Sequence, residues 1–61
     1  MIRTSAQILA EFAARREKLV EESERIADAI DRMPSEELHR RLREVTREID
    51  RLDQRIEEAR R

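Results

Sequence analysis

The residues best placed to do chemistry in this sequence are Glu36 and His39, which stand three positions apart. On a helix this Glu-x-x-His spacing places a carboxylate and an imidazole on one face, as in the di-iron sites of helical bundles. Such a site needs two of these motifs and two further carboxylates, so a homodimer would have to duplicate it. A solvated histidine explains the same residues more simply, and we predict no metal, no cofactor and no catalytic residue.

Carboxylates are abundant, with 15 acidic residues in the chain, but acid–base catalysis needs a concave, desolvated pocket that shifts their pKa values. A rod of two helices, which the breaker pattern predicts, provides no such pocket. Cysteine and glycine are both absent, and this excludes a thiol nucleophile, a zinc-finger ligand pattern and a glycine-rich phosphate loop. The composition therefore predicts a protein that is not an enzyme.

Arginines form a stripe in the second half of the chain, at spacings of three and four residues. The basic stripe consists of Arg40, Arg43, Arg47 and Arg51. It can contact nucleic-acid phosphates or an acidic protein. However, pairs such as Arg40 and Glu44 have the i,i+4 spacing of intrahelical ion pairs, no aromatic residue is available to stack on a base, and the net charge is −1. We interpret the stripe first as a solvated, salt-bridged face, then as a protein-docking surface, and last as a nucleic-acid contact.

Two helices must position these side chains, and local signals set their ends. Thr4-Ser5-Ala6-Gln7 is a capping box, Met33-Pro34-Ser35 breaks the chain, and Ser35 is a second N-cap. These signals predict helix 1 over about residues 5–32 and helix 2 over about residues 36–60. A link of about three residues forces an all-α, antiparallel helical hairpin, which occupies residues 1–61 as a single domain.

Both predicted helices carry an apolar series in which steps of four and three residues alternate. In helix 2 the series is Leu38, Leu42, Val45, Ile49, Leu52, Ile56 and Ala59. In helix 1 it is Leu9, Phe12, Arg16, Leu19, Ser23, Ile26, Ile30 and Met33. Folding the chain about Pro34 places the large apolar residues of one series opposite apolar residues of the other, which predicts coiled-coil packing.

Two layers of the predicted seam are weak, because Arg16 lies opposite Leu52 and Ser23 lies opposite Val45. A buried, unpaired guanidinium is costly, so Arg16 must extend outward or meet a carboxylate. It could instead set the register of a larger assembly. Ser23 can donate its hydroxyl to a backbone carbonyl one turn back.

Helix 1 has more apolar surface than helix 2 can cover. Beside its series lie Ile8, Ala13, Val20 and Ala27, and a face of about three apolar residues per heptad is typical of a bundle. We predict self-association, most simply as a twofold dimer that forms a four-helix bundle. The alternative is a hairpin that stays monomeric or binds another helical protein. The predicted interface is Ile8, Leu9, Phe12, Ala13, Arg16, Val20, Ser23 and Ala27.

The sequence predicts a cytoplasmic assembly protein, because it shows neither a membrane span nor a signal-peptide pattern. Its function would be that of an adaptor, a small chaperone or a regulatory subunit. The main alternative is a nucleic-acid regulator: in size and hairpin plan the chain resembles the Rop-type plasmid copy-number regulators, which are dimers of helical hairpins that bind paired RNA loops. That resemblance implies RNA binding. A remote third hypothesis is a di-metal bundle site at Glu36 and His39.

Overall fold

A computed structural model describes residues 4–60, which form two α-helices joined by a short turn. Helix α1 spans Ser5–Arg32 and helix α2 spans Glu36–Arg60. No strand occurs within residues 4–60. The predicted all-α hairpin is confirmed, and both helices begin and end where the capping and breaker signals place their ends.

The first turn of α1 is closed by the predicted capping box. The Gln7 amide donates to Thr4 Oγ1 at 3.2 Å, and the Thr4 amide donates to Gln7 Oε1 at 3.0 Å. Two backbone donors that the helix itself leaves without acceptors are satisfied in this way. The beginning of α1 is therefore set by four consecutive residues, independently of tertiary packing.

Helix α1 ends at the turn formed by residues 33–35 because Pro34 restricts the backbone of the residue before it. Met33 is extended, with φ −150° and ψ 91°, and its amide donates to the Ala29 carbonyl at 2.9 Å. Pro34 disfavours helical angles at the residue before it, which explains this geometry. The Ser35 carbonyl then accepts from the His39 amide at 3.1 Å, the first backbone bond of α2.

Met33 corrects one detail of the predicted seam. The sequence series places it as the last apolar member of helix 1, but its side chain is 74% exposed. The extended backbone before Pro34 takes the residue off the helical path, so the four-three spacing no longer decides where its side chain lies.

The two helices pack against each other in antiparallel orientation. Arg16, in the first half of α1, contacts Asp53 near the end of α2, whereas Glu22, further along α1, contacts Arg41 near the start of α2. The opposite order of the partners fixes the direction of the helices. The molecule is consequently a rod with extents of 45 × 17 × 15 Å.

The most buried side chains lie along the seam between the helices. Among residues 4–60 these are Ile26, Val45 and Leu52, with 8%, 4% and 7% of their surface exposed. Val45 and Leu52 belong to the two layers expected to be weak. Ser23 is small and donates its hydroxyl to the Val20 carbonyl at 2.7 Å, so α2 can approach closely there. The remaining apolar seam residues of both helices, Met33 excepted, are half-buried.

Replacing Leu52 by alanine should unfold most of the hairpin. The change removes buried contacts and leaves a cavity, at a cost of about 2–5 kcal/mol. A single core in a chain of this length supplies about 3–5 kcal/mol in total. Urea denaturation followed by circular dichroism, at one fixed chain concentration, measures the loss.

The matched control is Met33→Ala, which removes an exposed side chain of similar size. Its free energy of unfolding should stay within about 0.5 kcal/mol of the parent value. Equal urea midpoints for the two variants would contradict the assignment of Leu52 to the core.

Candidate functional site

An open groove of about 810 Å³ runs along one side of the hairpin, between the first half of α1 and the end of α2. Five of its lining residues are apolar, and we call them its floor: Leu9, Ala10, Ala13, Val20 and Ile56. The other five are charged, and we call them its rim: Arg16, Glu17, Asp53, Glu57 and Arg60. We call this feature the flank groove. An apolar floor with a charged rim is the composition of a protein-binding surface.

Half of the residues predicted to form the interface line the flank groove. They are Leu9, Ala13, Arg16 and Val20. Ala27 is exposed and follows Val20 by seven residues, so it continues the same face of α1 towards the turn. Phe12 and Ser23 are half-buried seam residues. The structure thus brings most of the predicted set to one side of α1.

Ile8 lies apart from the flank groove. It is half-buried, and it precedes Arg15, Glu22 and Ala29 at successive steps of seven residues, which places it on the opposite flank of the seam. The sequence pattern grouped it with Val20 because both adjoin the apolar series. Adjacency to the series does not distinguish the two flanks.

An ion pair crosses the seam at the flank groove. The Arg16 Nε donates to Asp53 Oδ1 at 2.5 Å, and the two side chains are 42% and 50% exposed. The expectation that Arg16 must extend outward or meet a carboxylate is confirmed, since Arg16 meets Asp53. Its position in the apolar series leaves the aliphatic stem near the seam while the guanidinium reaches the groove.

The second wall of the flank groove was missed by sequence reasoning. Asp53, Ile56, Glu57 and Arg60 come from α2. Of these, the four-three spacing identifies only Ile56, and it assigns Ile56 to the seam. A usable signal was present, since Asp53 directly follows Leu52, the residue predicted to face Arg16. The nearest carboxylate to an arginine in a seam is a natural partner for it.

The opposite flank of the hairpin is charged rather than apolar. There Arg41 Nη2 donates to Glu22 Oε1 at 2.7 Å, with side-chain exposures of 58% and 37%. A recess of about 380 Å³ lies beside this pair, and its lining is Leu19, Glu22, Arg41, Glu44, Val45, Arg47, Glu48 and Arg51. Acidic and basic side chains alternate there, so the recess carries no field of one sign.

The basic stripe lies on the solvent-exposed surface of α2. All four of its arginines are exposed. Arg47 and Arg51 line the recess together with Glu44 and Glu48, whereas Arg40 and Arg43 lie outside it. The structure therefore mixes the basic stripe with carboxylates instead of isolating it as a cationic surface.

The residues of the remote metal hypothesis are both on the surface. Glu36 and His39 are exposed in the first turn of α2. Within residues 4–60, no group of three or more His, Cys, Asp or Glu side chains is placed to hold a metal ion. A metal site at this end would need ligands from another chain.

None of the helical residues from 5 to 60 forms a segment both long and apolar enough to cross a membrane. Comparison with protein-family models, with curated proteins and with solved structures finds no match to this chain. The surfaces of the hairpin are accordingly the basis for any functional proposal.

We expect the hairpin to leave the mobility of a structured RNA or of duplex DNA unchanged in a gel-shift assay at low salt. Carboxylates beside the basic stripe repel the phosphates that its arginines would contact. A shift that weakens steeply as salt is raised would contradict this expectation and support the nucleic-acid alternative.

Proposed function

We propose that this chain is a non-catalytic assembly module, with the role of an adaptor, a small chaperone or a regulatory subunit. In this proposal the two helices pack as a coiled coil. The hairpins then associate, most simply as a twofold dimer, into a four-helix bundle. The observation that carries the proposal is the flank groove, because its apolar floor on α1 extends beyond the seam that α2 covers. Another helix laid along α1 would remove this floor from water.

The surface area of the hairpin supports a second copy as the occupant. The chain has 5452 Å² of accessible surface. A compact monomer of its mass, 7.4 kDa, exposes about 4,200 Å² on the usual scaling of area with mass. The excess of about 1,250 Å² exceeds the roughly 800 Å² that each partner buries in a standard protein–protein interface. The hairpin therefore has enough surface to bury an interface of this size against another copy.

The small core of the hairpin also supports association with a second copy. Only three side chains within residues 4–60 are buried, Ile26, Val45 and Leu52. Contacts made by association would add buried apolar area to α1, where Leu9 and Val20 are still half-exposed. Association therefore adds to the stability of the folded hairpin in this proposal.

Charge at the rim also fits a second copy. The rim carries Arg16 and Arg60 together with Glu17 and Glu57. With Asp53 the rim has three carboxylates and two arginines, so a copy of the same surface offers a carboxylate to each arginine. Along this face of α1, Ala13 and Ala27 are small enough for two helices to approach closely.

Replacing Val20 by glutamate should lower the oligomeric state. The substitution places a carboxylate in the apolar floor, where burying it unpaired costs at least about 2 kcal/mol, equivalent to about thirtyfold in the dissociation constant. Sedimentation equilibrium over a range of chain concentrations measures the change in mass.

Ala14→Glu is the matched control, because Ala14 is an exposed apolar residue of α1 outside the flank groove. Its mass should equal that of the parent, and circular dichroism checks that both variants remain helical. An unchanged mass for Val20→Glu would count against the groove. A parent chain that is monomeric at every concentration would refute self-association and favour a hairpin that binds another protein.

A further inference from the structure

We infer that the Arg16–Asp53 ion pair determines how the second copy docks in the flank groove, in addition to joining α1 to α2. This inference rests on the proposed self-association. It assigns to the two residues the role of specificity determinants: they would select one alignment of the copies and so one size of assembly.

The Arg16–Asp53 ion pair lies where any helix docked in the flank groove would cover it. Arg16 lies between Ala13 and Val20 along α1, and Asp53 faces it from α2. A helix that covers both Ala13 and Val20 must therefore also cover the ion pair. Every arrangement that buries the apolar floor changes the solvation of these two charges.

Within the isolated hairpin the Arg16–Asp53 ion pair adds little to the free energy of unfolding. Both side chains are about half exposed, and exposed ion pairs of this kind contribute little to stability because water and salt screen them. Only one of the five guanidinium N–H groups, the one on Nε, is engaged with Asp53. Water is free to satisfy the others on the exposed side.

Docking of a second copy removes that water and makes the remaining donors costly to leave unpaired. Each copy brings two further carboxylates on its own rim, Glu17 and Glu57, and both are exposed. Alignments that place one of them beside Arg16 satisfy the guanidinium, and shifted alignments bury it without a partner. A single polar residue in an apolar interface fixes register and oligomeric state in this manner.

The second cross-helix ion pair provides an internal comparison. Glu22 and Arg41 join the same two helices with a similar bond of 2.7 Å and comparable exposure. They line the charged recess on the opposite flank and take no part in the flank groove. A purely structural effect of removing a cross-helix ion pair would appear equally at both places.

The test replaces each ion pair by two leucines in the full chain and measures masses by sedimentation velocity and native mass spectrometry. For the parent we expect one species of twice the chain mass. Arg16→Leu/Asp53→Leu should remain helical but lose this single mass and show at least two assembly sizes, because the apolar floor then accepts several alignments. Glu22→Leu/Arg41→Leu should retain the single species of the parent.

A charge exchange, Arg16→Asp/Asp53→Arg, keeps an ion pair within the chain but reverses its direction. It should raise the dissociation constant of the dimer about tenfold or more, because the carboxylates of the second copy then face a carboxylate at position 16 in place of a guanidinium. This variant covers the case in which the leucine variant does not fold.

Three results would overturn the inference. If the parent is dimeric and Arg16→Leu/Asp53→Leu is equally homogeneous, the ion pair does not select the alignment, although self-association stands. An unchanged dissociation constant for the charge exchange leads to the same conclusion. If the parent itself is monomeric at all concentrations, the proposed function fails and this inference fails with it.

Discussion

Two helices can enclose only one strip of side chains between them, and this geometric limit governs the hairpin. In a rod with extents of 45 × 17 × 15 Å, every seam residue lies within one side-chain layer of water. Even the best-covered residue, Val45, retains some exposure, and seam residues such as Leu9 and Phe12 stay half-buried. A third or fourth helix would cover these positions without any change in their own helix, because the apolar face is already formed.

The two flanks of the seam differ in what they offer another molecule. On one flank charges stand at the rim of an apolar floor, and Arg16 reaches across to Asp53. On the other flank Glu22 and Arg41 meet in a recess that Leu19 and Val45 also line, together with further acidic and basic side chains. Exposed ion pairs contribute little to stability by themselves. The flanks therefore differ in binding capacity because only one of them has an apolar floor, although both carry charges.

Local signals explain why the helices could be predicted from the sequence. The capping box of Thr4 and Gln7 involves neighbours in the chain, and Pro34 acts on the residue before it, so both can be identified without any tertiary structure. The four-three spacing likewise identifies the seam, since Val45 and Leu52 are members of its series. Met33 shows where that reasoning stops: a spacing rule assumes helical geometry, which the proline removes.

The candidate site was only partly predictable from the sequence, because several residues of similar type could have occupied each of its positions. Spacing identified Val20 and Ala13 as extra apolar surface, but it did not separate their flank from that of Ile8. Long charged side chains have many carboxylates within reach, and the approach of α2 decides that Arg16 meets Asp53 and that Arg41 meets Glu22. Such pairings depend on the relative rotation of the two helices, which no short stretch of sequence contains.

The antiparallel course of the chain has a mechanical consequence. Thr4 and Arg60 lie at the same end of the rod, opposite the turn at residues 33–35. A pulling force applied between these two residues separates the helices one layer at a time, starting at this end, and does not load all layers together. Each layer then resists alone, and those beside the flank groove, near Leu9 and Ile56, are the first to separate.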